Sequence, residues 1–149
     1  MEINQLIQIW KSFYIIVASL IQLENSLIKK EQLELADDVC HIYSNVQEWL
    51  YELNDALNIE FLEFDLSREA IIELNSFTAQ DLGFGYQTID LRPSTYSKWY
   101  YGLSKLRGNL INLTNSLVKM ELSLELESNI LLERVNDLIV LVKQFIELE

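Results

Sequence analysis

The chain has 149 residues, with 11 Lys and Arg against 23 Asp and Glu, a formal net charge of -12 and an apolar half. That apolar content excludes a disordered tail, and the acidic balance argues against phosphate-driven nucleic-acid binding. A length near 150 fits one domain over residues 1–149, and four Gly with a single Pro leave few turn signals, which favours long helices.

In chain order, the first element is a helix in which Leu6, Ile9, Phe13, Ile16, Leu20, Leu23 and Leu27 step by three and four residues along one apolar face. Its most apolar stretch, Phe13 to Ile21, is nine residues long, against the roughly 20 needed to cross a bilayer. Glu2 offsets Lys11 and no A-x-A site follows, so neither a membrane span nor a secretory signal is expected. Cys40 is the only cysteine. No intrachain disulfide can form, and a cytoplasmic location is the default.

The second helix carries Val39, Tyr43, Val46, Leu50 and Leu53 at the same spacing. Asp37 and Asp38 just before them are N-cap types, whose side-chain oxygens accept from the first free amides. The turn between the two helices therefore falls within 30–37. Residues 59–93 form a crossover holding Gly83, Gly85 and Pro93. Within it, Ser67 as N-cap and Glu69 in the first turn predict a short helix over about 68–82, stopped by Gly83. The flanks Ile59 to Leu66 and Tyr86 to Leu91 read as irregular or briefly extended, and Pro93 places the start of the next helix at about Ser94.

That next helix repeats the opening pattern. Tyr96, Trp99, Leu103, Leu106, Leu110, Leu113 and Leu117 carry the first helix's spacing at an offset of 90, and residues 20–31 match 110–121 at eight of twelve positions. Asn25, Ser26, Lys29 and Glu31 are among the matches, and no core requires those residues, so an internal duplication is expected. Gly102 and Gly108 interrupt this helix at about 1 kcal/mol each relative to Ala, which suggests close approach of a neighbouring backbone. Ser128 and Asn129 are the expected caps of a last helix with Leu131, Val135, Leu138, Val142 and Phe145 on one face, after a turn within 120–128. Its five consecutive apolar residues, Leu138 to Val142, suggest burial nearly all round or a dimer seam. The expected fold is all-α: an antiparallel helical bundle of two pseudo-repeated hairpins, 2–58 and 94–148, with a short fifth helix inserted in the central crossover at 59–93.

Charge is sorted along this plan. Residues 31–66 hold ten acids and no Lys or Arg, whereas 94–120 hold Lys98, Lys105, Arg107 and Lys119 and no acid. On the second helix Asp38, His41, Asn45, Glu48, Glu52 and Asp55 step by three and four into a polar stripe. Such a stripe either solvates the surface, with part of it paired to the basic fourth helix, or steers a basic partner.

Enzyme chemistry finds little to use. A lone His and a lone Cys leave no set of zinc or di-iron ligands. Cys40 and His41 point about 100° apart on a helix and cannot pair as nucleophile and base; Cys40 is expected in the core and His41 on the surface against Asp37. Gly83-Phe84-Gly85 lacks the third glycine of a dinucleotide loop, and no phosphate loop occurs. Neither metal nor cofactor is expected, nor direct nucleic-acid or membrane binding. Tyr86, Tyr96, Trp99, Tyr100 and Tyr101 cluster; Tyr96, Trp99 and Tyr100 share a face and either close the bundle or form an exposed anchor patch.

The composition thus points to a non-enzymatic protein-binding module: a small acidic inhibitor of the immunity or antitoxin kind that neutralises a basic partner such as a toxin nuclease. Its candidate binding residues are Asp38, Glu48, Glu52, Asp55, Tyr96, Trp99 and Tyr100. The alternatives are a structural or adaptor subunit docking through apolar helices, with a homodimer as one form of it, and a DNA-mimicking anti-defence protein.

Overall fold

The computed structural model of the chain describes residues 3–57, 67–78 and 93–147. Among these residues lie five helices and no strand: α1 (Ile3–Lys29), α2 (Leu33–Leu57), α3 (Arg68–Ser76), α4 (Pro93–Lys119) and α5 (Glu125–Glu147). The four long helices form a bundle in which α1 packs on α2 and α5, and α4 packs on α5 and α2. Turns of a few residues make α1 antiparallel to α2 and α4 antiparallel to α5. Between α2 and α4, Glu52 meets Lys98 and Trp49 meets Gly102, so these two also run antiparallel. The starts of α1 and α4 therefore share one end of the bundle, and both hairpin turns share the other.

The apolar spacing sets this packing. All seven residues of the α1 pattern and all seven of the α4 pattern are buried, as are the five of α2 and the five of α5. Helix α1 is buried on a second side as well, through Ile7, Trp10, Tyr14 and Val17. By length and composition Asn4–Lys29 suffices to cross a membrane, which corrects the nine-residue count; 61% of its apolar window lies inside the bundle. An aromatic layer ties the four helices together near the end where α1 and α4 start. Phe13 stacks on Trp49 at 5.9 Å and edge-on to Trp99 at 5.2 Å; Tyr96 meets Trp99 at 5.6 Å and Phe145 at 6.0 Å, within the range where aromatic pairs attract.

Both turns close by the same hydrogen bonds. Glu31 N–H donates to the Ile28 carbonyl and Gln32 N–H to that of Leu27, and at an offset of 90 Glu121 donates to Val118 and Leu122 to Leu117. Glu31 and Glu121 sit in the left-handed region at φ 61° and 53°. This is the Schellman arrangement, in which the position past the helix end is usually Gly.

Several expected boundaries move. Helix α2 starts at Leu33 and α5 at Glu125, so Asp37 and Asp38 lie inside the helix they were expected to cap, as do Ser128 and Asn129 in theirs. The first carbonyls engaged belong to Gln32 and Leu124, which accept from Ala36 and Ser128. Buried Ser128 instead bonds to the Thr114 hydroxyl, and Thr114 also contacts the Leu110 carbonyl. Helix α4 takes in Pro93 as its first residue, where the missing N–H costs nothing. Ser67 does cap α3, accepting from Ala70 N–H at 3.2 Å. That helix ends at Ser76, short of the expected 82, because Phe77 turns to extended backbone and stacks on Trp10 at 5.3 Å. The flanks 59–66 and 86–91, with Gly83, Gly85 and Tyr86, lie outside the described residues. Burial nearly all round does not hold for α5, since Val140 is 59% exposed.

Candidate functional site

The acidic stripe follows from the helical period. On α2 the core residues Val39, Tyr43, Val46, Leu50 and Leu53 face inward, so the stripe, which by the step of about 100° per residue lies roughly a quarter to half a turn round from them, is turned outward. Asp38, Glu48, Glu52 and Asp55 are all exposed. Glu52 reaches across to Lys98 of α4 at 3.7 Å, a surface pair worth at most about 1 kcal/mol. Asp38, Glu48 and Asp55 have no ion-pair partner among the described residues. The basic fourth helix therefore neutralises the stripe at one point and leaves the rest open.

His41 stands in the same stripe. Its Nδ1 lies 2.8 Å from the Asp37 carbonyl oxygen and 3.7 Å from the Asp37 carboxylate. The backbone hydrogen bond, and after it the negative charge, raise its pKa above the ordinary 6.5. Cys40 is half-buried, not a core residue, and borders Tyr43, whose hydroxyl donates to the Glu24 carboxylate at 3.3 Å. Burial first, then these neighbours, push the Tyr43 pKa up, so that proton stays in place. The two adjacent residues thus serve separate contacts, and no nucleophile–base pair forms between them.

Beside the stripe, α2 and α4 part to leave a groove of about 420 Å³. Its apolar floor includes Val46, Trp49, Leu106 and Leu113, while Asp38, His41 and Asn45 on one wall face Lys105, Asn109 and Asn112 on the other. The α4 wall escaped sequence reasoning, because isolated Asn residues on a helix carry no spacing signal until the partner helix is known. Gly102 explains the narrow end of the groove: a Cβ there would penetrate the Trp49 indole. The close neighbour is thus a side chain, and not the backbone expected. A second cavity, of about 630 Å³, lies between α1 and α5, with Ile71 and Asn75 of α3 at its edge.

The aromatic candidates divide. Tyr96 and Trp99 are buried in the layer that closes the bundle, so a role as exposed anchors is replaced by a core role. The Trp99 indole N–H has no acceptor among the described residues. Tyr100 is half-buried and stacks edge-on to Tyr101, which at 70% exposure is the one projecting aromatic of that helix turn.

Among the described residues no three His, Cys, Asp or Glu side chains gather as metal ligands. What the site offers is charge and side-chain amides on a rigid pair of helices, suited to recognition by ionic and hydrogen-bonding contacts. No family model matches the chain, and neither a curated protein nor a solved structure matches it.

Proposed function

We propose that the chain is a non-enzymatic, cytoplasmic protein-binding module: a small acidic inhibitor of the immunity or antitoxin kind, whose α2 flank covers the basic surface of a partner such as a toxin nuclease. The observation that carries this reading is the row of exposed carboxylates on α2, of which Asp38, Glu48 and Asp55 lack an ion-pair partner among the described residues. Unpaired like charges on one flank cost a few tenths of a kcal/mol each, a cost that an opposite surface reverses. They also raise the encounter rate with a basic protein at low salt. The test is capture from native extract with the wild type and with a Glu48→Gln, Glu52→Gln, Asp55→Asn variant, at low and high salt. A basic protein retained by the wild type at low salt and lost by the variant is expected; equal capture by both overturns the reading.

We also infer that the two hairpins descend from one duplicated hairpin. In support, α1 and α4 are both 27 residues long and begin and end 90 positions apart. Their turns place Glu31 and Glu121 alike, and each buried position of α4 falls at that offset on a buried position of α1.

A second reading, an adaptor or homodimer docking through apolar helices, draws on the bundle end that holds both turns. There Ile28, Leu33, Val118, Met120 and Leu126 are each at least 46% exposed. Binding through that end would resist salt, which separates it from the first reading.

A further inference from the structure

The bundle end that holds both turns differs from the rest of the surface in charge as well as in apolar content. Its two turn segments, 28–34 and 118–126, carry Lys29, Lys30 and Lys119 against Glu31, Glu34, Glu121 and Glu125, all exposed except the half-buried Glu125. This end is therefore close to neutral, although the chain as a whole carries -12. Two copies meeting on α2 bring acid against acid, and two meeting on α4 bring base against base; at this end each copy offers both signs. The exposed apolar residues Ile28, Leu33, Val118, Met120 and Leu126 belong to the same two segments, so the apolar and the charge-balanced surfaces coincide.

The signs are also arranged alike on the two turns. Ile28, Lys29 and Glu31 recur as Val118, Lys119 and Glu121, an apolar, a positive and a negative residue at an offset of 90. Glu31 and Glu121 both hold left-handed backbone, at φ 61° and 53°, where glycine is the usual residue; what glutamate adds there over glycine is its charge. A surface that docks on its own copy about a twofold axis must offer each group together with that group's complement. Each turn does so, because a lysine and a glutamate stand two residues apart. With the second copy turned end over end, and whichever turn it presents, a lysine of one copy comes opposite a glutamate of the other, and the apolar residues of the two ends are brought together. We propose that this end binds a second copy of the chain in a twofold, end-to-end dimer, with Lys29, Lys30 and Lys119 of each copy set against Glu31, Glu34 and Glu121 of the other. The proposal rests on the second reading above, docking through apolar residues, and adds to it the occupant and the register; the acidic flank of α2 stays free for a basic partner. Four helices about 10 Å apart make an end of roughly 400 Å² on each copy, the size of a weak and reversible pairing.

Sedimentation equilibrium of the full-length protein is expected to show monomer and dimer in exchange, with a dissociation constant on the order of 100 µM that persists at high salt. A Leu33→Asp, Leu126→Asp variant weakens the pairing about tenfold or more, and its unchanged melting temperature shows that it is folded. Charge reversal tests the register. A Lys29→Glu, Lys30→Glu, Lys119→Glu variant and a Glu31→Lys, Glu34→Lys, Glu121→Lys variant each lose self-association at low salt, and the two mixed in equal amounts pair with one another. The loss in the second variant is the discriminating one, since its lower net charge by itself favours association. A wild type that stays monomeric to about 1 mM, pairing untouched by the two leucine changes, reversed variants that pair alone as the wild type does, or a mixture that does not pair overturns the proposal. If the wild type is monomeric and the leucine variant loses a salt-resistant protein partner captured from extract, the second copy falls as the occupant while docking through this end stands. Dimerisation lost in the leucine variant, with capture of a basic partner intact, supports the proposal and leaves the acidic-flank reading to its own test.

Discussion

His41 holds its proton more firmly than a free imidazole because the Asp37 carbonyl oxygen accepts from Nδ1, and the Asp37 carboxylate adds its charge. A pKa raised in the fold contributes stability that is fully present below the unfolded value of 6.5 and is lost as pH rises through the folded value. An NMR titration of the single imidazole is expected to give a midpoint above 6.5, and Asp37→Asn to lower it without abolishing the shift, since the carbonyl remains. This contact was legible from the four-residue spacing. The role of Asp37 and Asp38 as caps was not, because the helix begins four residues earlier, where Gln32 follows a left-handed Glu31. Buried polar contacts were equally hidden: Ser128 has the composition of a cap but is held by Thr114 across the hairpin. Replacing Thr114 with Val strands the Ser128 hydroxyl and is expected to cost about 1–3 kcal/mol by denaturant unfolding.

Within the helices, the two glycines of α4 have opposite meanings. A methyl group added at Gly108 would meet nothing within 4 Å, whereas at Gly102 it would collide with Trp49. Gly108→Ala is therefore expected to raise stability by about 1 kcal/mol, and Gly102→Ala to lower it by about 1–3 kcal/mol through the displaced indole; thermal melting of both variants checks the contrast. The turns give a related prediction. Glu31 and Glu121 occupy a conformation that costs an L-residue about 1–2 kcal/mol, so Glu121→Gly is expected to stabilise by about 0.5–1 kcal/mol once the entropy of glycine is deducted, a gain that the same melting experiment reads. Apolar spacing alone located one buried face on each of α1, α2, α4 and α5, and left out the second buried side of α1, Ile7, Trp10, Tyr14 and Val17. Turn positions were less legible because neither turn uses the glycine that normally marks a helix end. The end of α3 was set by a long-range contact, Phe77 on Trp10, which no local signal carries.

Across the whole molecule, pairing each helix antiparallel to its neighbours brings the acidic α2 beside the basic α4. The net charge of -12 is therefore not spread evenly over the surface. Its sorting was visible in the chain as ten acids over 31–66 against four bases over 94–120. What the sequence concealed is that only Glu52 of the stripe finds a base among the described residues, Lys98, and that the seam opens into a groove lined by Asn45, Asn109 and Asn112. Which helices are neighbours determines both features, and neighbour order is a property of the assembled bundle. The burial of Tyr96 and Trp99 has the same origin: four helices converge on Phe13 and enclose them. The most direct test is the affinity for the captured basic partner measured across a series of salt concentrations. Electrostatic docking on α2 predicts affinity that falls steeply with salt, and a much flatter dependence when Glu48, Glu52 and Asp55 are neutralised. Affinity indifferent to salt, or a salt dependence unchanged by those substitutions, would contradict the account.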